Sequence, residues 1–299
     1  MAATPSVTRN VDNHPVSIEH YENFPVASVL CPRALRPAVV AIYHYARTAD
    51  DLADEGDASA PQRLADLAQY RADLLATRDG CVASQRWPEV FAALSRVRRQ
   101  YGVPDALLTD LLSAFAQDVV VHAYRERDEL LAYCARSAHP IGRLLLHLYG
   151  VTDATALRQS DAICAGLQLA NFWQDLSVDT ARGRLYIPEA DCARYGVAPA
   201  ELRARRISPA ARALVADLVD WTRRRLLAGA PLVYTLPGRS GWELRLVVQG
   251  GLRILDRIEA LEYDTLTRRP MLRWTDAAPM LWRALGMSLT RVADPSECA

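Results

Sequence analysis

The chain is 299 residues long and 51% hydrophobic, with 35 basic and 35 acidic side chains for a formal net charge of zero. Such a composition supplies a large core, and its balanced charge excludes bulk attraction to nucleic acid or an anionic membrane. Every basic residue is arginine, which codon usage in a GC-rich genome explains better than phosphate recognition does.

Residues 1–16 are polar and proline-containing and predict a loose arm, followed by a helix over 17–30 that Pro32 ends. Residues 35–55 keep a helical period through Leu35, Val39, Ile42, Tyr43, Ala46 and Ala49. Helices follow over 61–77, 88–101 and from Pro104 to about Tyr124. The stretch 126–148 is helical with a kink at His139-Pro140. Residues 153–182 form a further helix, and Ser208-Pro209 caps one over 208–229. Residues 240–262 and 275–290 supply the last two. No sustained period-two pattern predicts a strand. The economical expectation is all-α: one helical bundle over 17–290 and a tail over 291–299.

Six cysteines without a Cys-x-x-Cys pair (Cys31, Cys81, Cys134, Cys164, Cys192, Cys298) predict free thiols, most of them buried, in a reducing compartment. No apolar run is long enough to span a bilayer, and the N-terminus lacks a signal peptide's apolar core. The expected location is the cytoplasm, with at most peripheral contact with the inner membrane. The segment 279–290 is amphipathic; core packing is the expectation for it, with a membrane-facing role as the alternative.

Two predicted helices end in acid. Asp50, Asp51, Asp54 and Glu55 crowd the turn before Gly56, and Asn171, Asp175 and Asp179 repeat every fourth residue toward a stop at Gly183. Acid at a helix C-terminus opposes the dipole and costs about 0.3–1 kcal/mol per group. Carboxylates one turn apart also repel each other. A bound hard cation relieves both, and Mg²⁺ typically sits between a few carboxylates and substrate phosphate oxygens. Two facing acidic helices therefore suit a diphosphate bridged by several Mg²⁺. Asp118 either helps such a cluster or caps and solvates its helix. His139 is the most available group for proton handling, though a structural role is the expectation.

The pattern Tyr43-x-x-x-Arg47-x-x-Asp50-Asp51-x-x-Asp54, with Gln168-Leu169-Ala170-Asn171-x-x-x-Asp175-x-x-x-Asp179-x-x-x-x-Arg184-x-Tyr186, resembles the squalene/phytoene synthase family. Within it, Glu22–Ser28, His139–Leu144 and Asn171–Asp175 resemble the hydroxysqualene synthase branch of hopanoid-making bacteria. The resemblance runs from about His20 to about Leu261. It implies a helical isoprenoid synthase fold around a central cavity and an Mg²⁺-dependent enzyme acting on an isoprenoid diphosphate. It assigns Asp50, Asp54, Asn171, Asp175 and Asp179 to Mg²⁺, and Tyr43, Arg47, Gln168 and Arg184 to diphosphate or the reacting carbons. His20, Tyr21, Asn23, Phe24, Asp51 and Gln174 complete the substrate contacts. Phe24, Tyr43, Tyr45 and Trp173 are candidates to face a carbocation.

Two departures stand out. Ala135 occupies a position where a tyrosine is common in the family, and Gln174 one where a basic residue is common. Both favour an enzyme that starts from presqualene diphosphate and captures water to give hydroxysqualene, with hand-off to later hopanoid enzymes. The alternatives are a head-to-head prenyl transferase making presqualene diphosphate, squalene or phytoene, and, more remotely, a non-catalytic scaffold of the same fold.

Overall fold

Pro37 stands in the first turn of α1 (Arg36–Asp54), where its missing N–H leaves no helical bond unmade. This computed structural model describes residues 30–77, 84–236 and 238–287. The expected N-terminal arm, the helix over 17–30, the tail, Cys81 and Cys298 lie outside them. α1 buries Ala38, Ala41, Ile42, Tyr45, Ala49 and Ala53, one face at helical spacing. That face packs with α2 (Ala60–Ala76), α3 (Pro88–Tyr101) and α4 (Asp105–Asp118). Tyr45 lies at the centre of this first core. It is fully buried, stacks on Tyr70 at 5.4 Å, and donates its hydroxyl to the Leu108 carbonyl at 3.0 Å. It is a core aromatic, and its expected role facing a cation does not hold.

The second core gathers α7 (Ala154–Gln174), α11 (Pro209–Gly229) and α13 (Gly238–Ala260). α7 and α11 touch almost backbone to backbone: a Cβ on Gly229 would stand 2.5 Å from the Gln159 carbonyl oxygen and 2.9 Å from the Ile163 nitrogen. Only glycine permits that approach. Trp173 is fully buried in this contact and donates its indole N–H to Thr222 at 2.7 Å, so it too belongs to the core and not to a cation.

Between the two cores run α5 (Arg127–Ser137) and α6 (His139–Leu148), divided at Ala138 where the sequence places the kink. Pro140 falls in the first turn of α6, so it starts a helix and breaks none. His139 packs near Asp161, 3.7 Å from its carboxylate, which Arg143 grips with two hydrogen bonds. Burial pulls the imidazole below its ordinary value. His139 does not line the cavity described below and is structural.

α4 ends at Asp118, earlier than expected. The carbonyls of His122, Tyr124 and Arg125 instead accept from Leu185, Glu189 and Ala190 N–H groups at 2.9–3.0 Å. This extended pairing binds residues 122–125 to the segment after the second acidic motif. No element was assigned from sequence between 183 and 207, yet two short helices lie there, α9 (Glu189–Arg194) and α10 (Pro199–Arg203). α12 (Leu232–Thr235) likewise escaped the sequence. The described residues contain no strand. The cysteines Cys31, Cys134, Cys164 and Cys192 are free thiols, and all but Cys164 are buried.

α14 (Ala277–Gly286) departs from the core packing expected of it. Only Ala284 is buried, while Trp282 is 77% exposed and Leu281 and Leu285 about half exposed. The Arg223-Arg224-Arg225 run is a surface face whose Arg223 pairs with Asp256 on α13 at 2.9 Å.

Candidate active site

A cavity of about 530 Å³ lies between the two cores. Its apolar wall comes from Ile42 and Ala46 of α1, Leu111 and Phe115 of α4, Ile141 and Leu145 of α6, Ile163 and Leu167 of α7, and Leu244 and Val247 of α13. Its polar lining includes Tyr43, Arg47, Asp50, Asp118 and Gln168. α1 carries Tyr43, Arg47 and Asp50 along the cavity toward its acidic tail, and α7 carries Ile163, Leu167 and Gln168 toward the other.

The second tail is bent. α7 stops at Gln174, Asp175 sits at φ −102°, ψ 14°, and a short α8 (Leu176–Asp179) resumes the path. The unbroken stripe expected of Asn171, Asp175 and Asp179 is therefore corrected to a stepped one. Its steps remain one turn apart, because the Asp175 N–H still reaches the Asn171 carbonyl and the Asp179 N–H the Asp175 carbonyl. The Asn171 amide also donates to the Asp175 carboxylate at 3.2 Å. Gly183 ends the following turn at φ +79°, a conformation that favours glycine.

The two tails face each other across Arg184. Its guanidinium lies 3.5 Å from Asp54 of α1, and both side chains are more than four-fifths buried. Its charge is further matched by Asp118 and Asp179. Arg182 also reaches Asp54, at 3.1 Å. A second opening of about 310 Å³, lined by Asp54, Arg63, Asp118, His122, Arg182 and Arg184, adjoins this meeting point. Asp118 lines both spaces.

Arginines hold most of the acids. Arg47 pairs with Asp50 at 3.0 Å, Asp51 at 2.7 Å and Glu55 at 2.8 Å. Arg269, far along the chain, grips Asp175 with two hydrogen bonds of 2.5 and 3.2 Å. Negative charge still remains in excess. Burial, then repulsion from Asp54, raises the Asp50 carboxyl to about 7 despite Arg47. Burial and Asp175 likewise raise Asp179 to about 7 against Arg184, Arg182 and Arg269. No basic residue lies in the last turn of α1 to offset this.

Several sequence expectations are redrawn. Gln174 is 1% exposed and donates its amide to the Pro270 carbonyl at 2.8 Å, away from the cavity lining. It braces the loop that carries Arg269 and does not line the substrate space. Asp51 turns to Arg47 and is likewise not a cavity-lining residue. Ala135 is exposed on the outer side of α5, and the α5 tyrosine that lines the cavity is Tyr133. Neither departure thus touches the cavity. His20, Tyr21, Asn23 and Phe24 lie outside the described residues. Arg182, Arg269 and Tyr133 were not picked out from sequence; their partners lie 128, 94 and 15 residues away, and no local spacing signals such contacts.

Residues 18–276 match the family model of squalene/phytoene synthase. The chain belongs to the squalene/phytoene synthase family. It is 33% identical over 254 residues to a hydroxysqualene synthase of Rhodopseudomonas palustris, covering 84% of each chain. A hydroxysqualene synthase of Sinorhizobium fredii is 32% identical over 241 residues, covering 80% of this chain and 79% of that one. Among solved structures, squalene synthase HpnC from Alicyclobacillus acidocaldarius superposes with a TM-score of 0.75 at 36% identity, covering 82% of this chain and 90% of that one. The helical isoprenoid synthase fold expected from the family motifs is the fold observed.

Proposed function

We propose that this squalene/phytoene synthase family member is a hydroxysqualene synthase. It ionises presqualene diphosphate, opens the cyclopropane ring and captures water, releasing hydroxysqualene and diphosphate on the route to squalene and hopanoids. The observation that carries the reading is the apolar cavity of about 530 Å³ adjoining two acidic helix tails interleaved with arginines. The choice of product within the family rests on the extent of likeness to the two relatives that bear this name.

The donor set fits Mg²⁺. The carboxyls of Asp50 and Asp179 are each raised to about 7 by desolvation and by repulsion from a neighbouring acid, Asp54 and Asp175 respectively, the state a hard cation relieves. Among the described residues no three Asp, Glu, His or Cys side chains converge on a single ion position. Mg²⁺ is typically held by one or two carboxylates and completed by water and phosphate oxygens. Asp50 and Asp54 on one side, and Asn171, Asp175 and Asp179 on the other, are the ligands we assign. When bound, the metal neutralises diphosphate and makes it a better leaving group.

The remaining work falls to the chain. Arg47, Arg184 and Arg269 exchange carboxylate partners for diphosphate oxygens, which guanidinium groups grip in pairs. Gln168 and Tyr43 orient the head of the substrate. Ionisation passes the electron pair of the C–O bond to diphosphate and leaves a cyclopropylcarbinyl cation. The rings of Tyr43 and Phe115, both in the cavity lining, steady it by about 0.5–2 kcal/mol each. The aliphatic wall keeps bulk water from quenching it early.

The family also contains enzymes that join two isoprenoid diphosphates, and head-to-head prenyl transfer is the second reading. Feeding presqualene diphosphate and farnesyl diphosphate separately, with and without NADPH, separates the two by mass spectrometry. Hydroxysqualene from presqualene diphosphate without NADPH is the expected product. Turnover of farnesyl diphosphate alone, with presqualene diphosphate untouched, would transfer the assignment to the second reading.

No described helix is long and apolar enough to cross a membrane. We assign substrate pick-up to a membrane surface met by α14 and the turn before it. Trp274 and Trp282 are 88% and 77% exposed there, beside Met271, Leu281 and Leu285. Exposed tryptophans suit the lipid interface. The double variant Trp274→Ser, Trp282→Ser should co-sediment with phospholipid vesicles roughly tenfold less than the parent. Equal sedimentation removes the membrane assignment.

A further inference from the structure

The substrate cavity contains polar atoms that its apolar walls leave unmatched. Asp118, the last residue of α4, is 9% exposed. Its Oδ2 accepts the Tyr133 hydroxyl at 2.7 Å. Its Oδ1 is buried and has no hydrogen-bond partner among the described residues. Ser137 follows Tyr133 by one turn of α5, so the two share a face. The Ser137 hydroxyl is also buried without a partner, and Ser137, Tyr133 and Asp118 all line the cavity. An unmatched carboxylate oxygen and an unmatched hydroxyl, on residues lining one cavity, are the kind of partners a fixed water takes.

The position of Asp118 adds a second argument. It lines both the apolar cavity and the polar opening that holds Asp54, His122, Arg182 and Arg184. A proton received on the cavity side therefore has a way out that does not cross the aliphatic wall. Tyr133 fixes the carboxylate, and its ring is held in turn among Tyr124, Phe172 and Tyr186 at centroid distances of 5.7–6.2 Å. Arg136, one residue before Ser137, bonds Gln117, whose amide bonds Tyr124 at 3.2 Å. The ends of α4 and α5 are thus tied together around one carboxylate.

We infer that Asp118 Oδ1 binds the water that ends the reaction, with the Ser137 hydroxyl as a further polar group of the same lining, and that Asp118 takes its proton. This inference rests on the hydroxysqualene reading above. The balance is simple. A lone pair of the water oxygen forms the C–O bond to the rearranged cation. One O–H bond of that water breaks, and its proton passes to the Asp118 carboxylate. No electron donor is required. Tyr133 is a positioning residue, acting through Asp118.

The test supplies presqualene diphosphate in H₂¹⁸O and measures labelled alcohol per diphosphate released. The parent enzyme should give labelled hydroxysqualene, and Asp118→Asn should lower that ratio about tenfold or more, with hydrocarbons formed by proton loss in its place. Tyr133→Phe and Ser137→Ala should each lower it about threefold to tenfold, and they carry the test if Asp118→Asn fails to fold. An unchanged alcohol ratio in the variants, with a normal parent, overturns the water assignment alone. A folded Asp118→Asn that releases no diphosphate also overturns it and places Asp118 in ionisation. A parent that makes no labelled alcohol overturns the hydroxysqualene reading, and this inference with it.

Discussion

Asp50→Asn and Asp175→Asn should each lower diphosphate release by about 10²–10³-fold while the chain stays folded. Either change removes one charged oxygen donor from a tail that we assign to Mg²⁺ and leaves the shape of the side chain intact. Neither residue lies in the two cores that hold the helices together. Asp50→Asn should even stabilise the metal-free chain. Its carboxyl is raised from an ordinary 3.8 to about 7, so the folded chain holds that proton more tightly than the unfolded chain does. The metal-free fold therefore loses stability as pH rises from about 4 to about 7 and does not recover it above. Asparagine carries no such penalty. Asp50 keeps 41% of its side-chain surface in solvent, which screens the effect to about 1 kcal/mol at most. At pH 8 without metal, the melting temperature of Asp50→Asn should exceed the parent's by about 2–4 °C. Parental turnover in either variant, measured as diphosphate released, would remove the metal assignment.

Arg184→Ala should act in the opposite sense on stability and in the same sense on activity. Arg184 is buried among Asp54, Asp118 and Asp179, and its removal leaves three acids facing one another. Breaking a buried pair by deleting one partner costs about 3–5 kcal/mol, and the adjacent polar opening lowers that to about 2 kcal/mol here. The expected melting temperature falls by about 4–8 °C in metal-free buffer. Mg²⁺ with diphosphate should restore part of the loss, since they supply the missing neutralisation. Turnover should fall about 10²-fold or more, because the guanidinium no longer meets the departing diphosphate. A variant as stable and as active as the parent would show that Arg184 does not join the two tails.

Features that the sequence displays locally were legible, and those made by distant pairing were not. The end of α1 was legible because acid at a helix C-terminus is unfavourable and stands out, but the break of α7 at Asp175 was not, since the expected helix ran on to 182. The division of α5 from α6 was legible as a break or kink at His139-Pro140, although Pro140 begins α6 and interrupts no helix. The end of α4 was not, since Val119, Val120 and Val121 continue an apolar run. What stops the helix is pairing of residues 122–125 with a segment some 60 residues later in the chain. The same pairing delivers Arg184 to Asp54. Arg269 was hidden for the same reason, lying 94 residues from its partner Asp175.

Aromatic roles failed in a different way. Tyr43 and Tyr45 are two residues apart on one helix, and periodicity alone does not say which of two packed faces meets a cavity and which a core. Tyr45 and Trp173 each hydrogen-bond inside a core, and Tyr43 lines the cavity. Gln174 shows the converse. Its position beside Asp175 suggested substrate contact, but α7 turns there and sends the amide to Pro270.

The central claim is that two acidic helix tails and their arginines hold a metal-bridged diphosphate at the mouth of an apolar cavity. A crystal structure grown with Mg²⁺ and a non-ionisable thiodiphosphate analogue of presqualene diphosphate tests it most directly. The expected result is diphosphate between Asp50 and Asp54 on one side and Asn171, Asp175 and Asp179 on the other, with Mg²⁺ on those carboxylates and the hydrocarbon between the two cores. Diphosphate bound elsewhere, with these carboxylates still closed on Arg47, Arg184 and Arg269, would contradict it.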